Sequence, residues 1–126
     1  MTMTTKKKIL VVDDSKTALF MVTTILKKEP YQLLTATDGQ QAVEVAAAER
    51  PDLVLMDVVM PRMTGFEACR ELKRREDTKA IPVILVTTRG EEENVEIGFE
   101  SGCNDYVTKP VNGQELLAKV RDLVAS

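Results

Sequence analysis

The 126-residue sequence has no histidine and no tryptophan, and only 4% of it is aromatic. Without histidine the chain carries no imidazole of its own, so chemistry that passes through one must draw it from another molecule. No apolar stretch approaches the roughly 20 residues needed to span a bilayer, so no membrane insertion is expected. The opening MTMTTKKK lacks the apolar core that a secretion signal places after its basic residues. Cys69 and Cys103 stand without a close pairing motif. In a chain with no secretion signal they read as free thiols of a cytoplasmic protein, used as small core residues rather than as a redox pair. A basic stripe is also missing. The net charge of -3 argues against a nonspecific nucleic-acid binder, and Lys6-Lys7-Lys8 reads as a solvated arm before the first strand.

What is present is an ordinary globular composition, 44% hydrophobic and 29% charged, in a length that suits one domain. Linkers, repeats and low-complexity tracts are absent, and strand-like and helix-like segments alternate from end to end. Strands are expected at Lys8 to Asp13, Tyr31 to Ala36, Asp52 to Asp57, Pro82 to Thr87 and Asp105 to Thr108. Between them, Ser15, Asp38, Thr64 and Asn112 have the side chains that cap helices. The first helix presents Ala18, Leu19, Val22, Ile25 and Leu26 at helical spacing and should stop at Pro30. A shorter helix is expected over Glu91 to Glu100, ending near Gly102. Repeated strand-then-helix units mean an α/β fold with a parallel sheet of five strands, helices on both faces and right-handed crossovers.

Each apolar strand run closes on a polar residue: ILVVDD on Asp13 and Asp14, DLVLMD on Asp57, PVILVT on Thr87, and DYVTKP on Lys109. In an open parallel sheet the carboxyl ends of the strands form the ligand-binding edge. One such residue alone is more often a turn or cap. Three carboxylates, a hydroxyl and an ammonium sent to one rim are hard to explain without chemistry.

With the motifs VVDDS, LMDVVMPRMTG, PVILVTT and DYVTKP in these positions, the chain resembles the receiver domain of two-component response regulators, the CheY-like family, from Lys8 to Val124. The resemblance implies a doubly wound sheet of order 2-1-3-4-5 flanked by five helices. It also implies an N-terminal arm over residues 1–7 and a receiver domain over 8–126. Function would sit at the crevice between strands one and three, where the strand order reverses.

The family's chemistry can be carried over residue by residue. Three crowded carboxylates repel, and a bound divalent cation removes that penalty. Oxygen ligands suit Mg2+, with Mn2+ as a substitute. Asp14 and Asp57 are the expected direct ligands with the backbone carbonyl of Val59, and Asp13 acts through bound water. Asp57 is the expected phosphoacceptor, helped by the Lys109 ammonium, the Thr87 hydroxyl and backbone amides near Val58 and Val59. The phosphodonor would be a phosphohistidine on a sensor histidine kinase or phosphotransfer protein. A cis peptide before Pro110 would aim Lys109. Pro61 and Gly65 read as structural. Tyr106 matches the aromatic switch position, able to turn inward as Thr87 turns toward a phosphoryl group. Such a turn would remodel the face formed by the fourth helix, fifth strand and fifth helix.

Three positions depart from common family usage. Val59 and Arg89, two residues beyond Asp57 and Thr87, are aliphatic and cationic, and Thr88 is bulkier than alanine or glycine. Together they predict a long-lived phosphorylated state. No output module is expected after Ser126, and docking of a monomer onto a protein target is expected, without direct nucleic-acid binding. The segment from Met60 to Arg89, with DYVTKPV, looks especially like the stand-alone receivers of chemosensory and type IV pilus motility systems. Three other readings compete: a phosphatase of the haloacid dehalogenase type, disfavoured because a DxD motif is missing after strand one; a docking module that works without phosphorylation; and a phosphate sink for a shared kinase.

Overall fold

The computed structural model describes residues 6–88 and 99–125. The apolar runs form the strands β1 (Lys8–Val12), β2 (Gln32–Ala36), β3 (Leu53–Asp57), β4 (Val83–Thr88) and β5 (Asp105–Lys109). All pair in parallel, in the order β2-β1-β3-β4-β5. Four helices lie among the described residues: α1 (Lys16–Leu26), α2 (Gly39–Glu49), α3 (Gly65–Arg74) and α4 (Gly113–Val124). Of the further helix expected over Glu91 to Glu100, only Phe99 and Glu100 fall among the described residues, and both are helical.

Alternation along the strands divides the core. Ile9, Val11, Leu53, Leu55, Ile84 and Val86 face α1 and α4, packing with Val22, Leu26, Leu116 and Val120. Leu10, Val12, Val54, Met56, Val83 and Leu85 face α2 and α3, packing with Ala42, Val43, Ala46, Ala68 and Leu72. Both faces of the central strands are therefore dry, which is why the runs are continuously apolar rather than alternating.

The four expected caps are made. Ser15, Asp38, Thr64 and Asn112 accept from the backbone N–H groups of Ala18, Gln41, Glu67 and Glu115, and Glu67 returns a bond to the Thr64 N–H at 3.0 Å, closing a capping box. α1 stops earlier than expected. It ends at Leu26, and the chain reaches Pro30 through tighter turns, Lys28 N–H to Ile25 O and Glu29 N–H to Leu26 O. The reason is that Pro30 has no N–H to give the carbonyl four residues back, that of Leu26, and its ring would clash with that carbonyl in a continued helix. Glu29 before it is also disfavoured in helical geometry. Cys69 and Cys103 are free and buried in the core under α2 and α3. Burial pushes both thiols up, Cys103 to about 11, which makes them inert filler at neutral pH.

Candidate functional site

The crossover order brings the ends of β1, β3, β4 and β5 to one rim. Asp13 follows β1 directly: its N–H donates to Ala36 O at 3.1 Å, and its Oδ1 accepts from the Ser15 N–H at 2.9 Å. Its other oxygen, Oδ2, lies 3.6 Å from Lys109 Nζ. Asp57 closes β3, with Oδ1 3.3 Å from the same ammonium. Asp13 and Asp57 are each only 6% exposed, whereas Asp14 is exposed. Oxygens of Asp13, Asp14 and Asp57 nevertheless converge to within 4.8 Å of one another.

Charge does not balance here. Among the described residues, three carboxylates face the one lysine that pairs with them, which leaves two negative charges uncompensated there. Burial, then the neighbouring Asp13 and more weakly Asp14, raise the Asp57 pKa, and Lys109 only partly offsets them. For Lys109 the largest single effect is burial, which pushes its pKa down. Asp57 and Asp13 together outweigh it, so the net shift is upward and the ammonium stays charged. Convergent hard oxygens with excess negative charge fit a divalent cation of the Mg2+ kind.

Thr87 lies one residue past Val86, the partner of Asp57 in the β3–β4 register. It is 3% exposed, and its Oγ1 is the one buried side-chain polar atom without a hydrogen-bond partner among the described residues. An orphaned buried hydroxyl costs about 1–3 kcal/mol, so this donor is open to an acceptor that the described residues do not supply. Thr88 ends β4 opposite Lys109, and Arg89 lies outside the described residues. The Lys109–Pro110 peptide is cis, as the resemblance implies.

Val59 is 67% exposed on the loop beyond β3. One expectation needs correction there. The Val58 N–H donates to Val86 O at 3.1 Å, so of the two amides expected near a phosphoryl group, this one is already spent on the sheet. Gly65 begins α3 where a Cβ would collide with the Asp57 carbonyl oxygen, which accounts for a glycine at that junction.

Tyr106 is half-buried on edge strand β5, with its ring edge-on to Phe99 at 5.7 Å. Sequence reasoning missed its other neighbour. Lys119 of α4 lies 5.1 Å from the ring centroid and donates to Tyr106 O at 2.7 Å and Asp105 Oδ1 at 3.1 Å. Nothing local could have signalled this, since Lys119 and Tyr106 are 13 residues apart.

Comparison with known proteins agrees with this geometry. A family model described as the response regulator receiver domain matches residues 9–121. Protein PilH of Pseudomonas aeruginosa is 44% identical over 118 residues, covering 94% of this chain and 98% of that protein. The alkaline phosphatase synthesis transcriptional regulatory protein PhoP of Bacillus subtilis is 36% identical over 118 residues. That match covers 94% of this chain but 48% of PhoP, so the chain spans about half its length. Among solved structures, the receiver domain of the sensor histidine kinase PA1611 from Pseudomonas aeruginosa superposes with a TM-score of 0.89 at 30% identity. It covers 97% of this chain and 100% of that one, and carries a magnesium ion coordinated in its active site cleft.

Proposed function

Because the chain belongs to the response regulator receiver domain family, we propose that it takes a phosphoryl group onto Asp57 from a phosphohistidine donor and relays the signal by docking to a protein target. The observation that carries this reading is the buried Asp57 carboxylate, 3.3 Å from the Lys109 ammonium inside the three-carboxylate cluster. An Asp57 oxygen attacks phosphorus, an O–P bond forms, and the N–P bond to the donor imidazole breaks. Lys109 offsets charge on the phosphoryl oxygens, and the unpartnered Thr87 hydroxyl donates to one of them.

Asp14 and Asp57 with the Val59 carbonyl would hold Mg2+, with Asp13 acting through water and Mn2+ as a substitute. When bound, the ion supplies the positive charge that the carboxylate cluster lacks. Pro110 has a structural role beside Lys109. The receiver unit is taken as residues 8–126, with 1–7 as an arm.

Output follows from Thr87. Once its hydroxyl is engaged, Tyr106 shifts its population toward an inward position and alters the face built from the helix expected over residues 91–100, β5 and α4. The partners are a sensor kinase or phosphotransfer protein upstream and a protein target downstream, met by a monomer in the cytoplasm without nucleic acid. Among the described residues no helix is long and apolar enough to cross a membrane. The end-to-end likeness to Protein PilH supports a motility setting, chemotaxis or type IV pilus function, that the segment from Met60 to Arg89 also favours.

The test is labelling with acetyl phosphate and Mg2+. The unaltered chain should incorporate acid-labile phosphate and Asp57→Asn should incorporate none. Full labelling of the variant would sink the assignment.

A further inference from the structure

The loop between β3 and α3 carries Val59, and α2 holds that loop from the side. Gly39, the first residue of α2, is buried. A Cβ placed there would lie 2.9 Å from both Met63 Cγ and the Met63 carbonyl oxygen, and 3.0 Å from Met63 Cβ. A side chain could displace the flexible Cγ cheaply, but the carbonyl is backbone, so any residue larger than glycine must push the loop itself. Next to it, the cap residue Asp38 gives Oδ1 to the Gln41 N–H at 2.8 Å and Oδ2 to Arg62 Nη2 at 3.2 Å. Arg62 adopts φ 67, a left-handed conformation uncommon for a residue with a side chain. Beyond it the Met63 N–H closes onto Pro61 O at 2.7 Å. That reversal delivers the guanidinium to Asp38 and lays Met63 on Gly39. The far end of the loop is fixed separately, by the Gly65 N–H donating to Val58 O at 2.9 Å.

We propose that Asp38 and Gly39 clasp Arg62 and Met63 and so set the position of the loop that bears Val59. Gly39 is thereby a positioning residue for Mg2+ binding and for phosphoryl acceptance at Asp57. The inference rests on the metal-site reading above and extends it to α2, which touches no reacting atom. Groups that orient metal ligands from outside typically change affinity 10- to 100-fold when removed. The molecule also contains its own control. Gly113 is likewise the first residue of a helix behind a capping side chain, but a Cβ there would meet Ile25 at no less than 3.6 Å, an ordinary contact.

The experiment is a titration of the full chain with Mg2+ alone, followed by backbone amide NMR, with melting temperature measured in chelator. Gly39→Ala should bind Mg2+ roughly tenfold more weakly and move the amide resonances of residues 58–60 and 62–64, and its labelling by acetyl phosphate should recover as Mg2+ is raised. Gly113→Ala should match the unaltered chain in all three. Arg62→Ala removes an exposed partner and should weaken Mg2+ about twofold. Unchanged Mg2+ affinity in Gly39→Ala, or an equal loss in Gly113→Ala, overturns the clasp. If Gly39→Ala does not fold, unchanged affinity in Arg62→Ala overturns it instead. Absence of Mg2+-induced shifts around Asp14 and Asp57 in the unaltered chain would overturn the metal-site reading, and the clasp's role with it.

Discussion

The two ends of the sheet handle polar groups in opposite ways. At the end where the strands begin, polar groups are matched. Asp52 Oδ2 accepts from the Lys8 N–H at 2.8 Å, and the Asp52 N–H returns a bond to Lys8 O at 2.8 Å. Lys73 Nζ, whose pKa burial lowers, donates to Ile81 O at 2.7 Å and Asn104 Oδ1 at 2.9 Å, and that same oxygen accepts from the Val83 N–H at 3.0 Å. At the end where the strands finish, carboxylates are gathered with too little positive charge among the described residues, and Thr87 has no acceptor among them. The first end is arranged for stability. The second accepts a stability cost, which the proposed function explains: the partners proposed for it, a cation and a phosphoryl group, would come from outside.

If this contrast is right, substitutions at the two ends should move stability in opposite directions. The largest effect is expected at the matched end. Asn104→Ala strands the buried Val83 N–H and one bond of Lys73, and should cost about 2 kcal/mol, read by urea unfolding, while phosphate labelling of the folded fraction persists. A neutral result there would break the comparison.

At the other end, Asp57→Asn should stabilise the chain in chelator by on the order of 1 kcal/mol, or roughly 3–6 °C in melting temperature. The sign follows from the raised Asp57 pKa. The folded state keeps the Asp57 proton to a higher pH than the unfolded state, so this group's contribution is fully present below the ordinary aspartate value of 3.8 and is lost as pH rises through the raised folded value. The advantage of asparagine over aspartate should therefore be absent in acid, grow across that window and level off above it. An advantage that shrinks with rising pH would reverse the account. Thr87→Val removes the orphaned hydroxyl at almost constant shape and should be neutral to slightly stabilising, by up to about 1 kcal/mol. It should still label with phosphate while losing phosphorylation-dependent target binding. Clear destabilisation would mean that the hydroxyl is satisfied in solution.

The smallest effect concerns lifetime. Val59 offers no hydrogen bond to a water aligned behind the phosphorus, and the sequence alone predicts that Arg89 and Thr88 shield that approach. Val59→Asn with Arg89→Glu should speed phosphate release roughly threefold, well under 1 kcal/mol of barrier, measured after donor removal. Slower release would make Arg89 a promoter of hydrolysis.

Much of this architecture is legible residue by residue. DLVLMD predicts a strand ending on Asp57, and β3 ends there; β1 closes one residue before Asp13, and β5 runs one beyond Thr108. Capping side chains mark helix starts because their bonds reach only three residues ahead. The end of α1 was harder, since proline acts through the turn preceding it. Arg62 in a left-handed conformation has no local signal at all.

By itself, then, the sequence determined five strands and the polar residue that closes four of them, because apolar runs and caps act over a few neighbouring residues. Tertiary structure decided which of those polar groups are satisfied. Lys109 is shared between Asp13 and Asp57, the Val58 N–H is taken by Val86, Thr87 is left orphaned, and Gly39 must lack a side chain so that Met63 can rest on it. Each of these depends on strand order and register, which bring together residues far apart in the chain, and no local pattern can specify a partner that arrives only when the sheet closes.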